Sequence, residues 1–236
     1  MLFSGSVGSL HGLYHGSEDS KSIALVLPPH PKHGGTMKNK VVKTIFDAFV
    51  ANGFATLRMN FRGVGHSEGE LSFDESDLLK DANSAIVWLQ SHYPLAESFW
   101  IGGFSFGSWL ALNIAMRRPE ISGFVAVSPA LKLDDFSFFA PCMVPGLLLR
   151  GDRDHLCDVQ DLLKITTPIS SRVKDFKLQT VEGADHRMSS ADNLQTISYY
   201  INRYLDLTLK KDEEDLILGQ VQDNNIKEIV LEEEIA

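Results

Sequence analysis

The chain has 236 residues, 44% hydrophobic and 22% charged, which suits one folded domain with a core of its own and excludes both a disordered and a membrane-embedded class. Its formal charge of −9 speaks against a nucleic-acid-binding face, which needs Lys and Arg gathered together. Most of that charge is local, since residues 211–236 hold nine acids and two lysines.

Leu2 to Tyr14 carries Gly5, Gly8 and Gly12 and reads as a glycine-punctuated hairpin at a sheet edge. Ser22 to Pro28 is an apolar strand, followed by Asn39 to Asn52, whose apolar residues recur at helical spacing. The strand Phe54 to Asn60 comes next, then a helix from Asp74 to His92 with Leu78, Ala82, Ala85, Ile86 and Leu89 on one face. The alternation continues through the strand Phe99 to Phe104, the helix Phe106 to Arg118 and the strands Gly123 to Ser128 and Gly146 to Gly151. It closes with a short helix from Val159 to Lys164, the strand Asp175 to Val181 and a helix from Ala191 to Leu207. Such a series predicts a mostly parallel sheet with helices on both faces. The domain is expected to span residues 1–210, and the acid-rich residues 211–236 read as an exposed tail or a partner-binding segment.

Chemistry concentrates at the ends of three strands. Gly103-Phe104-Ser105-Phe106-Gly107 is a G-x-S-x-G sequence lying between an apolar strand and a helix, the order that lifts a serine hydroxyl above a sheet. The competing reading is a serine that merely caps a helix. A serine hydroxyl is a poor nucleophile at neutral pH and needs a histidine base oriented by a carboxylate, in the chain order serine, acid, histidine. Asp152 and Asp154 follow the strand Gly146 to Gly151, and His186 follows the strand ending at Val181. Asp154 is the better acid, because an aspartate tight against the strand end serves the turn. Asp185, next to the histidine, is expected to fix its own loop. Attack on a carbonyl also needs N–H donors for the oxyanion. Phe106 N–H, at the start of a helix, is one expected donor, and Lys32 N–H is the other, with His33 in reserve, since Pro31 has no N–H.

Only two cysteines are present, without CxxC spacing, so neither a disulfide framework nor a zinc knuckle is expected. His30 and His33 alone are too few for a metal site, and the Pro-rich loop around them lacks the spacing of a phosphate loop. No signal-type leader and no apolar run of about 18 residues is present, which leads to the expectation of a cytoplasmic protein with no membrane partner. The sequence carries no sign of the oligomeric state.

GFSFG, Asp154, His186 and the strand order resemble the α/β-hydrolase superfamily. PPHPKHGGTMKNKVV and Asn60 to Gly69 (NFRGVGHSEG) are similar to the HPHP…GGTM and NFRGVG…SEG signatures of a small, capless, bacterial-type subfamily of esterase-like hydrolases. The resemblance covers residues 1–208, keeps only His30-Pro31 of the HPHP, and leaves the acidic tail outside. It implies a three-layer fold with about eight strands and no or minimal cap, and a serine hydrolase that needs no cofactor and acts on small-molecule carboxylic esters through Ser105, Asp154 and His186. Thioester or peptide hydrolysis with the same residues, and a binding protein that has lost catalysis, are the alternatives. Arg62, in a glycine-rich loop at a strand end, and His30 are candidate substrate contacts, with a turn or salt bridge as the other reading of Arg62. Only Pro129 to Pro145 separates two strands where related enzymes carry a cap, too short for a pair of helices. Phe136, Phe138, Phe139 and Met143 within it wall an acyl pocket or pack into the core beneath the loop.

Overall fold

The structure is a computed structural model that describes residues 1–210; the predicted acidic tail lies outside the described residues. Residues 1–202 form one compact unit, and a second begins at residue 203, where the described residues are helical.

The chain opens on β1 (Leu2–Ser4) and β2 (Ser9–His15), antiparallel neighbours joined through Gly5 and Gly8. β3 (Ser22–Leu27) is SIALVL, with five of six residues buried, as an apolar run must be when both faces of a parallel sheet are covered. α1 (Lys40–Ala51) starts where the Asn39 side chain accepts from Val41 and Val42 N–H, and β4 (Ala55–Met59) follows. α2 (Glu75–His92) is capped by Asp74 and buries all five of the residues that the spacing assigned to one face. β5 (Ser98–Phe104) runs into α3 (Phe106–Arg117), then come β6 (Ile121–Val127), β7 (Gly146–Gly151), α4 (Val159–Ser170), β8 (Phe176–Val181) and α5, a helix that begins at residue 191. α4 outruns the expected Val159 to Lys164 by six residues despite Pro168. Leu162, Thr166 and Ile169 are buried along one face while Pro168 is exposed, so packing outweighs the lost hydrogen bond.

The eight strands form one sheet in the order β1-β2-β4-β3-β5-β6-β7-β8, parallel from β4 onward. After β3 the chain moves one way to β4, and after β4 it moves the other way to β5. Right-handed crossovers therefore put α1 on one face and α2, α3 and α4 on the other. The part of α5 within the first unit meets the end of α1, where Asn52 Nδ2 donates to Asn202 Oδ1 at 2.7 Å. The reversal falls between β3 and β5, so a crevice opens at their carboxyl ends, where open α/β sheets bind ligands. Residues 128–145, between β6 and β7, contain a single 3-10 turn, Ser137–Phe139, and no helical cap. Phe136 and Phe139 are buried in the core and Met143 is exposed, so this loop is largely packed beneath rather than folded over the crevice.

Candidate active site

Ser105 sits at the sharp turn between β5 and α3 with φ 57° and ψ −119°, a left-handed backbone that costs about 1–3 kcal/mol for a non-glycine residue. Its N–H is held by Val127 O of β6 at 2.9 Å. The flanking glycines are there for space: a Cβ on Gly103 would lie 2.0 Å from Gly107 O, and one on Gly107 would lie 2.3 Å from Leu27 O at the end of β3. The strained backbone projects the hydroxyl off the sheet, and close packing of β3 brings the Pro28–His30 loop against the start of α3.

The structure brings Ser105, His186 and Asp154 together. Ser105 Oγ and His186 Nε2 are 2.9 Å apart, and His186 Nδ1 lies 3.0 Å from both Asp154 oxygens. Asp154 is buried, and its Oδ1 also accepts from Leu156 N–H at 2.9 Å. A carboxylate facing Nδ1 selects the tautomer with the proton there, leaving Nε2 free to accept from the serine hydroxyl. Asp152, by contrast, is exposed, and its backbone serves the turn through Val181 O and Arg150 Nη2. The Asp185 carboxylate accepts from the N–H groups of Arg187 and Met188 and fixes the loop that carries His186.

The expected donors on the β3 side are corrected by a 3-10 turn, Pro31–His33. Lys32 N–H donates to His30 Nδ1 at 3.0 Å, and His33 N–H donates to His30 O at 3.0 Å, so neither is available to a substrate. Among the described residues, the backbone N–H groups of His30 and Phe106 have no acceptor. The two residues are neighbours, their rings 4.5 Å apart. The His30 side chain is occupied as the cap of the turn, which leaves its N–H, not its imidazole, as the group to consider.

For Arg62 the substrate-contact reading is corrected and the salt-bridge reading holds. Its guanidinium is buried and donates to both oxygens of Asp81 on α2, to Ser6 Oγ and to Asp77 O, with Asp77 Oδ1 3.2 Å from Nη1. It ties the glycine-rich loop to α2 and does not face the crevice. Neither its partner nor its burial is visible locally, because Asp81 lies 19 residues further along the chain.

A cavity of about 500 Å³ opens beside Ser105 and His186. Phe104, Val41, Leu133 and Leu156 supply its apolar wall, and His33, Lys40, His155 and Arg187 its basic one. Lys40, His155 and Arg187 went unnoticed in the sequence because they come from three separate loops and helix ends. Among the described residues, no group of three or more His, Cys, Asp or Glu is placed to hold a metal ion.

Asp134, half-buried at the edge of the site, has its carboxyl pushed from the ordinary 3.8 up to about 6, first by burial and then by Glu75, against the opposing pull of His186 and His33. A carboxyl whose pKa is higher in the folded state binds its proton more tightly there, so it favours folding in acid, and that contribution is lost as pH rises from about 4 to about 6. Asp134→Asn is expected to raise stability at neutral pH by about 1 kcal/mol, a figure discounted for partial exposure. It should also flatten the pH dependence of the urea midpoint across that window; an unchanged profile would contradict the assignment.

A serine at a strand-to-helix turn, hydrogen-bonded to a histidine and through it to a buried carboxylate on a lidless α/β sheet, defines the serine hydrolase class. The family described as serine aminopeptidase, S33, matches residues 31–143, a stretch that includes Ser105 and ends before Asp154 and His186. An uncharacterized protein of Rickettsia prowazekii is 44% identical over 194 residues, covering 79% of this chain and 80% of that one. A structure from Agrobacterium tumefaciens, of unknown function and described as a candidate α/β hydrolase, is 38% identical with a TM-score of 0.81, covering 89% of this chain and 96% of the other. A Xanthomonas campestris structure, described as an α/β serine hydrolase without lid, is 25% identical with a TM-score of 0.73, covering 87% and 92%. The chain belongs to the α/β-hydrolase superfamily, within its capless bacterial type, and its class of activity is hydrolysis. Among the described residues, no helix is long and apolar enough to cross a membrane.

Proposed function

We propose that this protein cleaves small-molecule carboxylic esters through a Ser105-His186-Asp154 triad. The observation that carries the reading is the unbroken hydrogen-bond path from Ser105 Oγ through His186 to a buried Asp154. Ser105 Oγ attacks the carbonyl carbon as His186 Nε2 takes its proton, and Asp154 stabilises the imidazolium that results. The carbonyl oxygen, now an anion, is received by Phe106 N–H and His30 N–H; losing one such donor raises a barrier by about 3 kcal/mol. His186 then protonates the departing alcohol as the carbon–oxygen bond breaks, leaving Ser105 acylated. A water deprotonated by His186 attacks the acyl-enzyme, releases the carboxylic acid and returns the proton to Ser105. None of these steps calls on a cofactor.

The purified protein is expected to hydrolyse p-nitrophenyl esters and to be labelled by a fluorophosphonate at Ser105; labelling that survives Ser105→Ala would sink the assignment. The absence of a cap in residues 128–145 leaves a long acyl chain partly in water, forfeiting about 0.8 kcal/mol per unburied CH₂. The ratio kcat/KM should therefore level off or fall beyond short chains, whereas a steady rise through long ones would contradict an open site. The S33 description of the matching family makes peptide hydrolysis the second reading, and efficient cleavage of amino-acid p-nitroanilides in preference to esters would favour it.

A further inference from the structure

The cavity beside Ser105 has a charge that the rest of the chain does not lead one to expect. Residues 1–210 are nearly neutral, with 22 acids against 20 Lys and Arg, yet the residues lining this cavity include Lys40, Arg187, His33 and His155 and no Asp or Glu. Among the described residues, neither the Lys40 nor the Arg187 side chain has an ion-pair partner. The two nearby carboxylates are engaged elsewhere: Asp185 on the N–H groups of its own turn, and Asp154 behind His186. A third, Asp134, lies at the edge of the site outside the lining, close to His186 and His33 as well as to Glu75, so it sits on the histidine side rather than beside Lys40 and Arg187 in the lining.

Lys40 is also misplaced for the stability of its own helix. It is the first residue of α1, whose first turn contains no acid, and a cation there opposes the helix dipole, which favours negative charge at that end. Lys40 and Arg187 therefore present positive charge to one space, and Ser105 and His186 open into the same space. A cavity of about 500 Å³ is in the range that encloses most of a small ligand, so an ester bound at Ser105 extends along this wall.

We infer that the cavity selects esters bearing an anionic carboxylate, recognised by Lys40 and Arg187 across the space from Ser105. This rests on the ester-hydrolase reading and names its substrate class. It also weighs against an aminopeptidase, whose substrate would bring an ammonium group to a cationic wall.

The test compares kcat/KM for matched pairs. On the acyl side the pair is mono-p-nitrophenyl glutarate and p-nitrophenyl butyrate; on the alcohol side it is 4-acetoxybenzoate and 4-acetoxytoluene. The anionic-over-neutral ratio is read in the wild type and in Lys40→Ala/Arg187→Ala, so that intrinsic ester reactivity cancels. One exposed charge contact is worth about threefold, so the ratio should fall about tenfold in the double variant for at least one pair. The drop should shrink at high salt, as screening of exposed charges requires. Lys38, exposed and outside the lining, provides the control: Lys38→Ala should leave the ratio unchanged. A ratio that stays within twofold in both pairs, or that Lys38→Ala lowers as much, overturns the inference. Binding of glutarate by calorimetry, weakened in the double variant, is the arm that needs no turnover. If no ester is hydrolysed but glutarate binds in this way, the ester reading falls and the anion site stands; if esters are hydrolysed with the ratio unmoved, the reverse holds.

Discussion

Asp154→Asn is expected to lower kcat for ester hydrolysis by roughly 10⁴ while leaving the fold intact, as loss of the orienting carboxylate does when a histidine is left in the wrong tautomer. The geometry gives the reason. Both carboxylate oxygens lie 3.0 Å from His186 Nδ1, and Oδ1 also takes the N–H of Leu156. In the variant, Leu156 holds the amide oxygen at that place, and the amide nitrogen, a donor, then confronts Nδ1. The ring answers by moving its proton to Nε2, which can no longer accept from Ser105. Asp152→Asn, altering an exposed carboxylate with no hydrogen bond to His186, should change kcat by less than about threefold. Steady-state kinetics on one ester for both variants decides the matter, and a crippled Asp152→Asn beside an active Asp154→Asn would reverse the assignment.

The largest effect on stability is expected from Asp81→Ala. The Asp81 side chain is fully buried and that of Arg62 is 6% exposed, and Asp81 accepts from the Arg62 N–H, Nε and Nη2. The Asp81 carboxylate pushes the Arg62 guanidinium further toward its protonated form, chiefly through these hydrogen bonds. Removing the carboxylate leaves a cation and a backbone N–H buried with few partners, a loss of about 3–5 kcal/mol. For a domain of this size that corresponds to a drop of about 10 °C in Tm. Asp81→Asn, which keeps an acceptor, should lose less. Urea and thermal unfolding provide the readout, and a loss below about 1 kcal/mol for Asp81→Ala would show that the pair contributes little beyond its own desolvation.

These two pairs mark the boundary of what the linear chain discloses. Ser105 announces itself because its requirements are local: a strand before it, a helix after it and two glycines that keep Cβ atoms out of a tight turn. Asp154 and His186 are legible because parallel strands all deliver their carboxyl ends to one rim, so residues just after β7 and β8 arrive near Ser105 without any contact being known in advance. The edge hairpin and the buried face of α2 follow from glycine spacing and helical period.

The loop after β3 shows the opposite case. Proline positions point to Lys32, yet a 3-10 turn capped by the His30 side chain consumes the N–H groups of Lys32 and His33, and hydrogen bonds of this kind depend on backbone angles that no residue pattern specifies. α4 runs past the point where Thr166-Thr167-Pro168 suggests a break, because burial of Ile169 outweighs local propensity. Arg62 has a turn-like setting but a partner on α2, and the cationic wall assembles Lys40, His155 and Arg187 from places far apart in the chain. The sequence by itself determined the class of fold, the serine at the strand-to-helix turn and the chain order of Ser105, Asp154 and His186, since those depend on periodicity and short-range sterics. Only the tertiary structure decided which N–H groups are free, where Arg62 points and which charged residues line the cavity, because each of these is a matter of what packs against what.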